Sequence, residues 1–146
     1  MPLSILVIDD EPGICALLKN FLVCQGHQVY EASDGVAGLE QFYRLQPDLV
    51  LVDVTMPKCD GFAVLEEIRR QNITVGVLMV SALTQAHLVV SALANGADGY
   101  LYKPFRLTEL LKEVQRVSAL VSLRHNILVD QPSRQHQYLG YEALWV

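Results

Sequence analysis

Short apolar runs alternate with segments of helical periodicity five times along most of the chain. The apolar runs read LSILVID, HQVYEA, PDLVLVD, ITVGVLMVSA and DGYLYKPF. The segments between them read PGICALLKNFLVCQG, DGVAGLEQFYRL, DGFAVLEEIRR and TQAHLVVSALANG, and a last helix is predicted from about Thr108. Apolar residues recur in these segments at intervals of three and four positions. The pattern therefore predicts five strands, each followed by a helix.

The starts of two helices and the composition of the strands define the fold class further. Ser33 or Asp34 is the expected N-cap of the second helix, and Asp60 that of the third, because short polar side chains accept hydrogen bonds from the first turn. Strands that are almost continuously apolar are typical of parallel sheets with both faces covered, connected by right-handed crossovers. The predicted fold class is α/β, a doubly wound parallel sheet.

Length and composition fit one soluble globular domain. The chain has 146 residues, of which 51% are hydrophobic and 18% charged, which excludes a disordered chain. No apolar run approaches the roughly 20 residues that a membrane span needs, and the start MPLSILVIDD lacks the basic segment of a signal peptide. We therefore expect a cytoplasmic protein without a membrane partner. The net charge of -5 argues against a basic nucleic-acid-binding face on this part of the molecule.

The cysteines and histidines do not form a metal-binding pattern. Cys15, Cys24 and Cys59 show no C-x-x-C spacing, so we interpret them as reduced core residues. The four histidines are scattered through different elements and have no ligand spacing, which favours ordinary surface or packing roles.

Polar side chains follow the strands that are predicted to be buried. Asp9 and Asp10 follow the first strand, Asp53 the third, Ser81 the fourth and Lys103 the fifth. In open parallel sheets, ligands bind beyond the carboxyl ends of the strands. Each residue alone has a structural interpretation, as a helix start, a cap or a surface charge. Their coincidence at four strand ends instead indicates a functional site.

Three carboxylates at one sheet edge repel one another, by roughly 4 kcal/mol for each pair at about 4 Å and an effective dielectric constant of about 20. They must therefore take up protons or hold a cation. A set of oxygen ligands without thiols or imidazoles favours Mg²⁺. A carboxylate at the position of Asp53 could attack phosphorus as a nucleophile, while Lys103 and Ser81 contact the transferred phosphoryl oxygens.

Four sequence features together resemble the receiver domain of bacterial two-component response regulators. They are DD at 9 and 10, Asp53 followed by VTMPKCDG, SA at 81 and 82, and YLYKPF at 100 to 105. The resemblance covers residues 3 to about 121 and implies a flavodoxin-like fold, with five parallel strands in the order 2-1-3-4-5.

The resemblance also implies roles for the acidic residues and the lysine. Asp53 would be the phosphoacceptor, taking a phosphoryl group from the phosphohistidine of a sensor histidine kinase. Asp10 would bind Mg²⁺ directly and Asp9 through water, and the backbone carbonyl of Thr55 would be a further ligand. Lys103 would pair with the phosphoryl group. Such a domain would catalyse only its own phosphorylation and dephosphorylation.

A switch is the second implication of the resemblance. Ser81 would be the switch hydroxyl, Tyr100 the aromatic residue that turns inward on activation, and the bond between Lys103 and Pro104 would be cis. The added charge on Asp53 would draw Ser81 and its loop toward the phosphoryl group. The output would be a changed surface on the fourth helix, fifth strand and fifth helix. Tyr102 is interpreted as a strand-filling aromatic.

Two other functions fit the sequence less well. A Mg²⁺-dependent phosphatase of the haloacid dehalogenase type also uses an aspartyl nucleophile after a strand, but it has a second Asp two residues later, where this chain has Thr55. A nucleotide-binding fold would need glycines in its first turn, which here reads DDEPG.

The end of the chain departs from this pattern. Apolar residues of the last helix lie at 107, 110, 111, 114, 117 and 121, and then NILVD, QHQYL and YEALWV are predicted as short strands around a QPSR turn. This pattern resembles the opening strands of a winged-helix DNA-binding domain. We predict a receiver domain at 1–123 and, at 124–146, a linker, an extension or the truncated start of an output domain that would contact DNA.

A stand-alone receiver that acts through protein contacts is the alternative, with an aromatic tail formed by Tyr138, Tyr141 and Trp145. The winged-helix subfamily commonly carries arginines in the last helix that pair across a dimer. This chain has Glu113 and Gln115 at the corresponding positions. The sequence therefore leaves homodimerisation on phosphorylation open.

Overall fold

Strands and helices alternate throughout the computed structural model, which describes residues 2–129. The strands are β1 (Ser4–Ile8), β2 (Gln28–Ala32), β3 (Leu49–Asp53), β4 (Gly76–Ser81) and β5 (Gly99–Tyr102). The helices are α1 (Pro12–Cys24), α2 (Gly35–Leu45), α3 (Gly61–Gln71), α4 (Ala86–Ala94) and α5 (Leu107–Val129). The strands form one parallel sheet in the order β2-β1-β3-β4-β5. The predicted fold class and strand order are confirmed.

Two apolar cores cover the two faces of the sheet. Alternate strand residues point to opposite faces, so Leu6 and Ile8 contribute to one core and Ile5 and Val7 to the other. The first core contains buried side chains from α2, α3 and α4, and the second contains those from α1 and α5. Because all five residues of β3 are buried, this strand lies at the centre of the domain.

The helix starts follow the predicted capping chemistry. Asp34 caps α2 by accepting a hydrogen bond from the amide of Ala37 at 2.8 Å, so the cap is Asp34 and not Ser33. Asp60 caps α3 in the same way, with the amide of Ala63 at 2.9 Å. These caps fix where the second and third crossovers turn into helix.

The last helix is longer than the sequence pattern predicts. Its buried residues Leu110, Val114, Val117 and Val121 follow the predicted apolar face. The helix continues to Val129, so the prediction of a strand at NILVD is wrong for 126–129. No Gly or Pro lies between Pro104 and Pro132, and a short Ile-Leu-Val run suits either a strand or a helix. The rest of the predicted tail lies outside the described residues, and the boundary at 123, which falls within α5, stays a prediction.

The cysteines differ in their exposure. All three are free thiols, with Cys15 buried, Cys59 half-buried and Cys24 exposed. The interpretation as core residues therefore holds for Cys15 and is wrong for Cys24, which is the last residue of α1 and faces solvent.

Over residues 2–129, none of the helices combines the length and the apolar character of a membrane span.

A partly buried ionic cluster joins α3, α5 and the start of β5. The Asp98 carboxylate pairs with Arg69 at 2.9 Å, pairs with Arg124 as well, and accepts a hydrogen bond from the Val77 amide at 3.0 Å. Burial by itself raises the pKa of Asp98, but the hydrogen bonds from Arg124 and Val77 and the charges of both arginines lower it below its ordinary value. We call the side chains of Arg69, Asp98 and Arg124 the Asp98 cluster. It fastens the second half of α5 to the domain.

Candidate functional site

The buried polar residues of the domain lie at one edge of the sheet. Over residues 2–129, the buried polar or charged residues are Asp9, Asp53 and Ser81. Asp9 follows β1, and Asp53 and Ser81 end β3 and β4. In the register of these two strands Asp53 pairs with Val80, so Ser81 lies one residue further along the neighbouring strand. The predicted convergence at the carboxyl edge is thus observed.

Three carboxylates converge at this edge. Ligand oxygens of Asp9, Asp10 and Asp53 all lie within 4.8 Å of one another, with Asp10 the exposed member. Burial and the charge of Asp9 raise the pKa of Asp53, while Lys103 and the Thr55 amide oppose that rise. Carboxylates this close together repel one another, and a cation bound between them would relieve that repulsion. The cluster therefore could hold a metal ion.

Lys103 is shared among three carboxylates. Its Nζ lies 2.8 Å from Asp9 Oδ2, 3.3 Å from Glu11 Oε1 and 3.4 Å from Asp53 Oδ2. Burial lowers the pKa of Lys103, but the hydrogen bond to Asp9 and the charges of Asp9 and Asp53 outweigh burial and raise it. The peptide bond to Pro104 is cis, as the resemblance implies. The lysine is therefore held as a cation at the edge of the sheet.

Glu11 is a site residue that the sequence analysis missed. Its side chain is 61% exposed and reaches Lys103 across 92 positions of the chain. The sequence feature that could have identified Glu11 is its position, directly after the Asp9-Asp10 pair and immediately before α1.

Ser81 and Tyr100 both hold the loop between β4 and α4 through Leu83. Ser81 Oγ accepts a hydrogen bond from the Leu83 amide at 3.0 Å, and the Tyr100 hydroxyl donates to the Leu83 carbonyl at 2.8 Å. The Lys103 amide in turn donates to the Ser81 carbonyl at 2.8 Å. Ser81 and Tyr100 are thus connected through one residue, Leu83, which the sequence analysis did not single out. Tyr102 stands 46% exposed on β5.

The loop after β3 approaches the site closely through Gly61. The Thr55 amide donates to Asp53 Oδ1 at 3.3 Å, and the Gly61 amide donates to the Val54 carbonyl at 2.9 Å. A Cβ atom on Gly61 would lie 2.3 Å from the Asp53 carbonyl oxygen and 2.7 Å from Val54 Cα. Gly61 therefore allows the start of α3 to lie directly on the backbone of Asp53.

We expect Gly61→Ala to destabilise the domain by about 1–3 kcal/mol, the usual effect of forcing an extra methyl group into a packed region. The clash is with backbone atoms, so no side chain can rotate to relieve it. Urea unfolding monitored by circular dichroism measures the change. Gly13→Ala in α1 is the control: no atom lies within 4 Å of its added Cβ, so it should be neutral or stabilise the protein by about 0.5–1 kcal/mol. Equal effects of the two variants would contradict the role of Gly61.

Comparison with known proteins agrees with this geometry. The family model of the response regulator receiver domain matches residues 5–115. The DNA-binding dual master transcriptional regulator RpaA of Synechocystis is 37% identical over 97% of this chain and 61% of its own length. The chemotaxis protein CheY of Bacillus subtilis is 34% identical over 77% of this chain and 94% of its own length. The chain therefore spans about three fifths of the transcriptional regulator and nearly all of the chemotaxis protein.

Solved structures show the same architecture. A response regulator receiver domain protein from Clostridium thermocellum superposes with a TM-score of 0.78 at 30% identity, covering 82% of this chain and 97% of that chain. The matched region runs from the first strand into the last helix. It contains all the residues of the site at the carboxyl edge of the sheet, which we call the acidic edge: Asp9, Asp10, Glu11, Asp53, Ser81 and Lys103. Sequence, sheet topology and site lead to one assignment, and the chain belongs to the family of response regulator receiver domains.

Proposed function

We propose that this chain is the phosphoacceptor module of a two-component system, in which Asp53 accepts a phosphoryl group from the phosphohistidine of a sensor histidine kinase. The observation that carries the proposal is the position of Asp53. This buried carboxylate lies 3.4 Å from the Lys103 ammonium group and within 4.8 Å of two further acids. A purely structural carboxylate would not need such surroundings.

The residues present fit a Mg²⁺ ion. We assign direct binding to Asp10 and Asp53, binding through water to Asp9, and a further ligand to the Thr55 carbonyl. The donors are all oxygens, and Asp10 is open to solvent, as suits an ion that keeps several of its waters. When bound, Mg²⁺ would neutralise negative charge on the transferring phosphoryl oxygens.

The chain's own residues account for the transfer step. A carboxylate oxygen of Asp53 attacks phosphorus, and the bond from phosphorus to the histidine nitrogen breaks with its electron pair staying on the imidazole. Lys103, already held beside Asp53, donates a charge-assisted hydrogen bond to a phosphoryl oxygen. The Ser81 hydroxyl donates to another. Phosphorylation and dephosphorylation of Asp53 are the only reactions we assign to the chain, consistent with a signalling module.

The switch would act through Leu83. When Ser81 turns its hydroxyl toward the phosphoryl group, the Leu83 amide loses its acceptor, and the loop to α4 is free to move with Tyr100. The surface of α4, β5 and α5 would carry the signal. α4 has no Asp, Glu, Lys or Arg and exposes Val90 and Leu93, and β5 exposes Tyr102, a composition suited to a protein partner.

Control of transcription is the output we favour, through a DNA-binding domain that follows a receiver domain at 1–123. The supporting observation is that this chain spans 61% of the length of RpaA, a DNA-binding regulator by name. A stand-alone receiver is the second candidate, supported by the match to 94% of the chemotaxis protein CheY. Homodimerisation on phosphorylation is compatible with either. A haloacid dehalogenase-type phosphatase is disfavoured because Thr55 stands where the second Asp is needed.

The test of the proposed function is the intact mass of the protein after incubation with acetyl phosphate and Mg²⁺. We expect one added phosphoryl group, which is lost in base and is absent when EDTA replaces Mg²⁺. No adduct under conditions in which Mg²⁺ binds would overturn the proposal.

Ser81→Ala tests the switch separately from the chemistry. We expect beryllofluoride, a phosphoryl mimic, to bind the variant with Mg²⁺ but to shift few backbone NMR signals of α4 and β5, because the hydroxyl that contacts Leu83 and would turn to the phosphoryl group is missing. Thr84→Ala is the matched control, since it removes an exposed hydroxyl from the same loop. Its signals should shift as in the wild type. A full response of α4 and β5 in Ser81→Ala would contradict the proposed switch.

A further inference from the structure

Glu11 occupies the N-cap position of α1 without capping it. Its backbone is extended, as at other N-caps, but its side chain makes no capping hydrogen bond. The carboxylate instead lies 3.3 Å from Lys103 Nζ. The Glu11 amide donates to Asp9 Oδ1 at 2.9 Å, which fixes the backbone from which this side chain reaches across the edge. The contact with Lys103 thus takes the place of a local helix cap.

Lys103 donates hydrogen bonds to Asp9 and Glu11 and forms an ion pair with Asp53 at 3.4 Å, so three carboxylates share the charge of its ammonium group. Asp9 and Asp53 are almost fully buried, with 3% and 6% of their side chains exposed, whereas 61% of the Glu11 side chain is exposed. Of the three contacts of Lys103, the one with Glu11 costs the least free energy to break, because water can hydrate the released carboxylate. When a phosphoryl oxygen accepts a hydrogen bond from Lys103, the contact with Glu11 is therefore the one that is given up most easily.

We propose that Glu11 is a positioning residue that restrains Lys103 in the unphosphorylated protein and competes with the phosphoryl group for its ammonium. This inference rests on the proposed function of Asp53. Glu11 lowers the affinity of the site for a phosphoryl group and holds Lys103 in place until that group arrives. The residue thereby sets how readily the domain is switched on.

A matched acid separates this role from a general effect of negative charge. Glu31 lines a surface cavity together with Asp9 and Asp10, but it pairs with Lys19 at 3.6 Å and is not among the partners of Lys103. Glu11→Gln and Glu31→Gln each remove one negative charge from the surroundings of the acidic edge. Only the first removes a partner of Lys103.

Two measurements test the proposal on the whole chain. The first is the affinity for beryllofluoride at saturating Mg²⁺. We expect Glu11→Gln to tighten binding about three- to fivefold, the scale of one exposed ion pair, and Glu31→Gln to change it less than about 1.5-fold. The second is NMR relaxation of the lysine ammonium groups in the metal-free protein. Lys103 should become more mobile in Glu11→Gln and should be unchanged in Glu31→Gln.

The outcomes distinguish this inference from the proposed function. Equal changes in both variants, weaker binding by Glu11→Gln, or an unchanged mobility of Lys103 would overturn the role of Glu11 alone. A wild-type protein that binds no beryllofluoride with Mg²⁺ and gains no phosphoryl group would overturn both.

Discussion

Asp53→Asn is expected to abolish phosphorylation and to leave the fold intact. Asparagine has the same shape as aspartate, but its amide oxygen is not a nucleophile at neutral pH. Lys103 keeps its 2.8 Å contact with Asp9, so the edge retains its main ion pair. Incubation with acetyl phosphate and Mg²⁺ should therefore add no mass to the variant, while its circular dichroism spectrum matches that of the wild type.

Asp60→Asn is the matched control for this loss. Asp60 lies in the loop after β3 and caps α3, and asparagine caps helices about as well as aspartate. The control should be phosphorylated to the same extent as the wild type. A phosphoryl adduct of undiminished yield on Asp53→Asn would mean that another side chain is the acceptor.

Asp53→Asn should also stabilise the metal-free protein at neutral pH. The pKa of Asp53 is raised above its ordinary value of 3.8 by burial and by Asp9, so its charged form opposes folding. This penalty is fully present above the folded pKa and disappears as the pH falls below 3.8. The melting temperature of the variant in EDTA should therefore exceed that of the wild type at pH 7, and the gap should close toward pH 3.8. A gap that widens on acidification would contradict this assignment.

Asp98→Ala is expected to cost about 3–5 kcal/mol of the free energy of unfolding, the usual loss when one partner of a buried ion pair is removed. Arg69 is only 14% exposed and would keep its charge without a carboxylate. Arg124 would lose its anchor on the domain, and the Val77 amide would lose its acceptor. Urea unfolding at neutral pH should show a lower midpoint, and the second half of α5 should exchange its amide protons faster.

Glu113→Ala provides the comparison, because Glu113 pairs with Arg116 on the surface, where 47% of the arginine side chain is exposed. Its loss should stay below about 1 kcal/mol. The pKa of Asp98 is lowered from its ordinary value of 3.8, so the contribution of Asp98 to the free energy of unfolding is fully present above pH 3.8. This contribution is lost as the pH falls through the pKa of the folded protein, which lies below that value. The difference between wild type and Asp98→Ala should therefore shrink only in that acidic range. Losses of equal size in the two variants would contradict the structural role of the Asp98 cluster.

The sheet and its acidic edge could be predicted because they follow from chain direction. If each apolar run forms a strand of one parallel sheet, the residues that follow the strands must meet at one edge of that sheet. Asp53 and Ser81 could therefore be placed at this edge from the sequence alone. The presence of Lys103 at the same edge follows from the same rule. Periodicity thus determines which residues share an edge, although it does not determine their distances.

Contacts between distant side chains could not be predicted in this way. Glu11 and Lys103 are 92 positions apart, and Asp98 and Arg69 are 29 apart, so no local pattern connects them. The end of α5 was misassigned for a different reason. Isoleucine, leucine and valine at 127–129 suit a strand as well as a helix, and only the continuing backbone hydrogen bonds decide between them.

The most direct test of the central claim locates the phosphoryl group in the wild-type protein. Borohydride reduces an aspartyl phosphate to homoserine, so phosphorylated protein should be reduced, digested and sequenced by mass spectrometry. We expect homoserine at position 53 and unmodified aspartate at positions 9 and 10. Homoserine at another acid, or none in protein that carries the phosphoryl mass, would contradict Asp53 as the acceptor.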